Sequence, residues 1–151
     1  MIDTIKKIRA NIQALYELIE SLHSSYEVKR SILCLKEAKM ELGRVLHEIG
    51  GMTPYRHSKN PSNDILIDTE ELNGSPAIDN SEISHVRLVK GYRRRVDQIE
   101  TDIKDIIDNS NDIENIWVVE HLKEAAKFTI RSGMWLGVEL GRVKDERDSM
   151  Y

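Results

Sequence analysis

Apolar residues at Met1, Ile5, Ile8, Ile12, Leu15, Ile19 and Leu22 alternate spacings of four and three. That rhythm keeps one narrow stripe on one side of an α-helix, and such a stripe needs a partner helix to cover it. After the polar break His23-Ser24-Ser25, the rhythm resumes with Val28, Ile32, Leu35, Leu42, Val45 and Ile49, predicting a second helix from about Tyr26 to Ile49. Gly50-Gly51 closes it, because glycine takes the left-handed conformation after a helix without a Cβ penalty. Two helices joined by so short a turn fold back on each other, giving an antiparallel αα-hairpin over residues 1–50. Further on, Val89, Tyr92, Val96, Ile99, Ile103 and Ile106 predict a third helix over about Ile83 to Ile107. The turn Asn109-Ser110-Asn111-Asp112 offers Ser110 or Asp112 as a helix cap. A fourth helix is expected from about Ile113 to Glu146, with Val119, Leu122, Ala126, Leu136, Leu140 and Val143 on its stripe.

Residues 51–81 break the pattern. They hold Pro54, Pro61 and Pro76 and are rich in Asn, Ser and Asp, so they read as a linker, long for a connection between helices. Within it, Asp64-Ile65-Leu66-Ile67-Asp68 could pair briefly as an edge strand. The expected fold class is all-α: two antiparallel αα-hairpins, 1–50 and 82–151, joined by the Pro/Asn-rich segment 51–81 into a helical bundle. The phrase M-x-L-G-x-x-L occurs in each half, at 40–46 and at 134–140, and marks the second helix of each hairpin.

Composition narrows the functional classes. Apolar residues make up 40% of the 151 and charged residues 32%, which fits a globular helical chain with a heavily charged exterior. A net charge of −4 argues against general coating of nucleic acid, which needs an excess of Lys and Arg, but leaves room for a local basic patch. Cys34 is the only cysteine, so neither an intrachain disulfide nor a cysteine zinc cluster is available. No apolar run approaches the roughly 20 residues of a membrane span, and no signal-peptide core is seen, so a cytoplasmic protein with no membrane partner is expected.

Three constellations carry candidate chemistry. Gly133, Gly137 and Gly141 recur every four residues on one face of the last helix, at about 1 kcal/mol each against alanine, so a close approach of another backbone or of a ligand must offset them. Close helix packing is the favoured reading. Lys90-Gly91-Tyr92-Arg93-Arg94-Arg95, with His85 and Arg87 just before it, offers forked donors for phosphate oxygens and a ring on which a base could stack. The alternative is a solvated face whose arginines pair with Asp97, Glu100 or Asp102. Met52-Thr53-Pro54-Tyr55-Arg56-His57-Ser58 again places an aromatic ring beside cations, although packing of Tyr55 back on the hairpin end is the favoured reading. Enzyme templates fail: there is no P-loop and no H-E-x-x-H, Glu82-x-x-His85 has the di-iron spacing only once, and Glu17-x-x-Glu20 lacks the second acidic pair of an all-α pyrophosphatase. No catalytic residue, metal ligand or cofactor is expected.

Leu35-Lys36-Glu37-Ala38-Lys39-Met40-x-Leu42-Gly43, closing with Ile49-Gly50-Gly51 and Pro54-Tyr55, resembles the hairpin shared by small bacteriophage anti-CBASS and Thoeris anti-defence proteins. The second half is similar to them as well, through His85 to Gly91-Tyr92-Arg93 and through Gly133-Met134-Trp135-Leu136. The resemblance implies a non-enzymatic homo-oligomer, often a hexamer, acting in the host cytoplasm as a sponge. Its ligand would be a cyclic nucleotide second messenger, either a cyclic oligonucleotide or a cyclic ADP-ribose isomer. Tyr92 would then stack on a base while Arg93 holds phosphate; Lys90 and Arg94 join them by spacing, with His85, Tyr55, Arg56 and His57 as further candidates. Members of that family have a single hairpin, and this chain has the pattern of two. A helical interaction module without a small ligand is the competing expectation.

Overall fold

The computed structural model describes residues 1–22, 24–50, 82–109 and 115–149, with side chains placed for all of these except 82–83 and 144–149. They form four helices and no strand: α1 (Ile2–Glu20), α2 (Tyr26–Glu48), α3 (Glu82–Asp108) and α4 (Ile116–Ser149). The edge strand expected at 64–68 lies outside the described residues. Ser25 starts α2 as its N-cap, its hydroxyl accepting from the Val28 amide at 3.1 Å. Gly50 ends α2 at φ +86°, in the left-handed region expected of it. The fourth helix begins later than the hydrophobic pattern suggests. Its first turn is held by Asn115, whose Oδ1 accepts from the Trp117 amide at 3.0 Å, while Ser110 and Asp112 lie outside the described residues. Val118 rather than Val119 then faces the core.

The helices pack as a ring in the order α1, α2, α4, α3, with each touching only its two neighbours. Neighbours run antiparallel. Arg9 and Glu20 of α1 meet Lys39 and Lys36 of α2, and Ser25 and Glu41 of α2 meet Glu139 and His121 of α4. Gly133 and Gly137 of α4 meet Val96 and Arg93 of α3 in the same opposed sense. Alternation around the ring makes α2 and α3 diagonal and parallel, so Ile49 leaves one end of the bundle and Glu82 enters at the other. One continuous core joins all four helices, from Ile5, Ile12, Leu15 and Ile19 through Leu35 and Leu42 to Val96, Ile103, Leu122 and Leu136. Each such side chain contributes about 1.5–3 kcal/mol on burial.

The broadest seam joins α2 to α4, and it is lined by small and polar residues. The Ser31 and Ser132 hydroxyls meet at 2.7 Å, Thr129 donates to the Ala125 carbonyl at 2.8 Å, and Cys34, Ala38 and Ala125 are buried around them. Small side chains let the two backbones approach, and each buried hydroxyl has a partner, so the polar atoms cost little. Burial pushes the Cys34 thiol above its ordinary range, which keeps it protonated and unreactive.

The glycine row divides by neighbour. A Cβ at Gly133 would lie 3.3 Å from Val96 Cγ1, and one at Gly137 would lie 3.3 Å from the Arg93 guanidinium, whereas Gly141 has nothing within 4 Å. Close packing against α3 therefore accounts for the first two. Gly141→Ala is expected to raise the unfolding free energy by about 0.5–1 kcal/mol, because helix propensity improves with no clash. Gly133→Leu is expected to lower it by about 1–3 kcal/mol through overpacking on Val96. Urea unfolding of the two variants checks both signs.

Candidate functional site: the cationic face of α3

Arg87, Lys90 and Arg94 stand at i, i+3 and i+7 on α3, which places them in one row on its solvent side, and all three are exposed. Arg93 lies one step round the helix towards α4, also exposed, with its guanidinium seated over the bare backbone of Gly137. Arg87 and Arg94 are separated by about 10 Å along the axis. Two of the three acids expected to neutralise this row, Glu100 and Asp102, are engaged elsewhere. Glu100 pairs with Lys104 at 2.6 Å, and Asp102 accepts from Gln98 at 2.9 Å. Among the described residues, Arg87, Lys90, Arg93 and Arg94 form no ion pair. Charge ordering along α3 is also opposed to its dipole: the last turn carries Asp105 and Asp108 and no basic residue. Helix stability alone does not explain this arrangement.

Two of the residues expected beside these cations are placed otherwise. Tyr92 is 1% exposed, in the core between Val89 and Val96, so neither face of its ring is free for a base. Burial pushes its hydroxyl above the ordinary phenol range, with the Ser21 hydroxyl acting in the opposite sense. The heptad position of Tyr92 outweighs its place in the basic phrase. His85 turns inward as well, its Nε2 buried without a hydrogen bond and 3.6 Å from Glu139 Oε2. Tyr55, Arg56 and His57 lie outside the described residues.

Hydropathy spacing misses a pair of buried ionic clusters. Glu139 is 0% exposed on α4 and accepts from Ser25 Oγ at 2.9 Å and from Arg142 Nε at 2.7 Å, with His85 on its other side. Arg142 reaches on to Glu27 at 3.7 Å. At the opposite end of the α2–α4 seam, Glu41 is buried between Arg44 and His121, and the Trp117 ring lies edge-on to His121 with centroids 3.8 Å apart. Each cluster has the same parts: a buried glutamate, an arginine one turn later on its own helix, and a histidine from a neighbouring helix. A verbatim repeat signals them. Glu-Leu-Gly-Arg-Val stands at 41–45 and again at 139–143, a tighter match than M-x-L-G-x-x-L. Glutamates inside an apolar heptad are the sign of buried pairing. His85 of the Glu82-x-x-His85 spacing turns toward Glu139, and the Glu82 side chain lies outside those described. The described residues contain no group of three His, Cys, Asp or Glu side chains placed to hold a metal, and no helix long and apolar enough to cross a membrane.

One open cavity of about 530 Å³ lies between the start of α1 and the end of α3, lined by Lys7, Asn11, Asp102, Asp105 and Asn109 among others. Its acids face the positive N-terminal end of α1, where they complement the helix dipole. No known protein family matches the chain, and no curated protein or solved structure is similar to it. The fold places the chain among all-α four-helix proteins.

Proposed function

We propose that the protein binds a phosphate-bearing cyclic nucleotide signal on the outer face of α3 and sequesters it without chemical change. On this reading the chain is two helical hairpins, 1–50 and 82–151, holding one basic face rigid. The observation that carries it is the row Arg87, Lys90 and Arg94, with Arg93 beside it, exposed and free of ion pairs among the described residues in a chain of net charge −4. The helix backbone beneath the cations is already ordered, so only the side chains themselves are immobilised on binding. Lys90 and the forked groups of Arg87 and Arg94 hold phosphate oxygens. Arg93 takes the place first assigned to Tyr92: its planar guanidinium, backed by Gly137, is a surface on which a base can stack. The motif resemblance supplies the ligand class.

Calorimetric titration of a cyclic dinucleotide, a cyclic trinucleotide and a cyclic ADP-ribose isomer into wild type and variants tests the assignment. Arg94→Ala is expected to weaken binding by about tenfold, the worth of one charge-assisted hydrogen bond. The triple variant Arg87→Glu/Lys90→Glu/Arg94→Glu is expected to abolish binding while leaving helicity intact, since all three side chains are exposed. Unchanged affinity in the triple variant rules this face out.

A further inference from the structure

The bundle is lopsided in what it shows to solvent. Among the described residues, every strongly exposed large apolar side chain other than Met1 belongs to α2 or α4: Tyr26, Leu33 and Met40 on the first, and Ile116, Trp117, Ile130, Met134 and Val138 on the second. Tyr26 is 65% and Met134 63% exposed. Aromatic and cationic groups fill the seam between them. Tyr26 packs edge-on to Trp135 at 5.5 Å, the Arg30 guanidinium lies 5.7 Å from the Trp135 ring centre, and that of Arg131 lies 5.5 Å from Phe128. Trp, Tyr, Met and Arg gathered on one face have the composition of the centre of a protein interface, and contiguous apolar surface of this kind marks an association site.

The register between α2 and α4 identifies the occupant. The contacts Ser25–Glu139, Ser31–Ser132 and Glu41–His121 set which residues stand at the same height. By them Tyr26 is level with Val138, Leu33 with Ile130 and one turn from Met134, Glu37 with Lys127, and Arg44 with Glu120. A two-fold axis parallel to the bundle, lying in this face, sets α2 of one molecule on α4 of another without changing any height. Tyr26 then meets Val138, Leu33 meets Ile130 and Glu37 meets Lys127, while Arg44 stands opposite Glu120 without leaving Glu41. Within the chain, Lys127 pairs with Glu124 and Glu120 with Lys123, both at the surface. Such pairs are worth little and exchange readily for intermolecular ones. From this matching we infer that the α2–α4 face binds a second copy of the same chain, forming a symmetric dimer with the two bundles side by side. The cationic face of α3 stays outside this contact, so the inference holds whether or not a nucleotide binds there.

Sedimentation equilibrium across a concentration series tests it on the full chain. Wild type is expected at an even multiple of 17.4 kDa. Leu33→Glu with Met134→Glu is expected to reduce it to 17.4 kDa with unchanged helicity, both side chains being exposed. Glu37→Lys and Lys127→Glu singly are each expected to weaken association several-fold, and the double swap to restore it. A wild-type protein that is monomeric at about 100 μM, where associations of roughly −5.5 kcal/mol are already visible, overturns the proposal. So does an odd-numbered assembly, or a double swap no better than its singles.

Discussion

Tyr92→Ala is expected to lower the unfolding free energy by about 3–5 kcal/mol, the usual cost of deleting a fully buried aromatic ring. For a chain of this size the melting temperature falls by about 10 °C. The ring is 1% exposed, and Ile103, Val89 and Val96 belong to the same core, so its removal leaves a cavity that rigid helices cannot close. Tyr92→Leu separates this role from base stacking. It keeps an apolar group in the core at a cost of about 1–3 kcal/mol, and it should leave nucleotide affinity unchanged. A stacking ring would instead lose affinity in Tyr92→Leu while stability held. Denaturant unfolding and calorimetry on the same sample give both readings.

Arg142→Ala is expected to cost about 3 kcal/mol, more than its partial exposure suggests. The reason lies in its neighbour. Glu139 is fully buried, and without Arg142 its carboxylate keeps only the Ser25 hydroxyl and His85. Leaving a buried charge unpaired is among the largest single-residue penalties, because desolvation has already been incurred and nothing offsets it. Exchanging the network for apolar residues of similar volume costs far less. Glu139→Leu/Arg142→Met should therefore recover most of the stability lost in Arg142→Ala. A double variant as unstable as Arg142→Ala would point to the Ser25 and His85 contacts, rather than the charge, as the source. Thermal unfolding of the three proteins distinguishes the cases.

The helices were legible because heptad spacing maps directly onto burial. The α1 stripe Ile5, Ile8, Ile12, Leu15 and Ile19 is buried throughout, and the bounds of α2 and α3 fall within a residue of those expected. The α2–α4 seam was not legible, for a physical reason. Ser31, Cys34, Ser132 and Thr129 pack there because they are small, and hydropathy reads serine and threonine as surface. Of the candidate site, the placement of the cations was legible and that of the ring was not. Arg87, Lys90, Arg93 and Arg94 fall on the solvent side of α3, as their spacing requires. Tyr92 sits in the same phrase but at a core position of the heptad, and period outweighs residue type. The two buried glutamates were visible only as a verbatim Glu-Leu-Gly-Arg-Val repeat, whose meaning depends on the histidines that tertiary packing brings to them.

Native mass spectrometry of the purified protein, mixed with an equimolar panel of cyclic dinucleotides, cyclic trinucleotides and cyclic ADP-ribose isomers, bears most directly on sequestration by the α3 face. The expected spectrum shows the protein carrying one nucleotide of the panel at its intact mass. That nucleotide should be recovered unchanged on denaturation and be absent from Arg87→Glu/Lys90→Glu/Arg94→Glu. Protein without any nucleotide at micromolar concentration, or a recovered ligand of altered mass, would contradict non-catalytic sequestration.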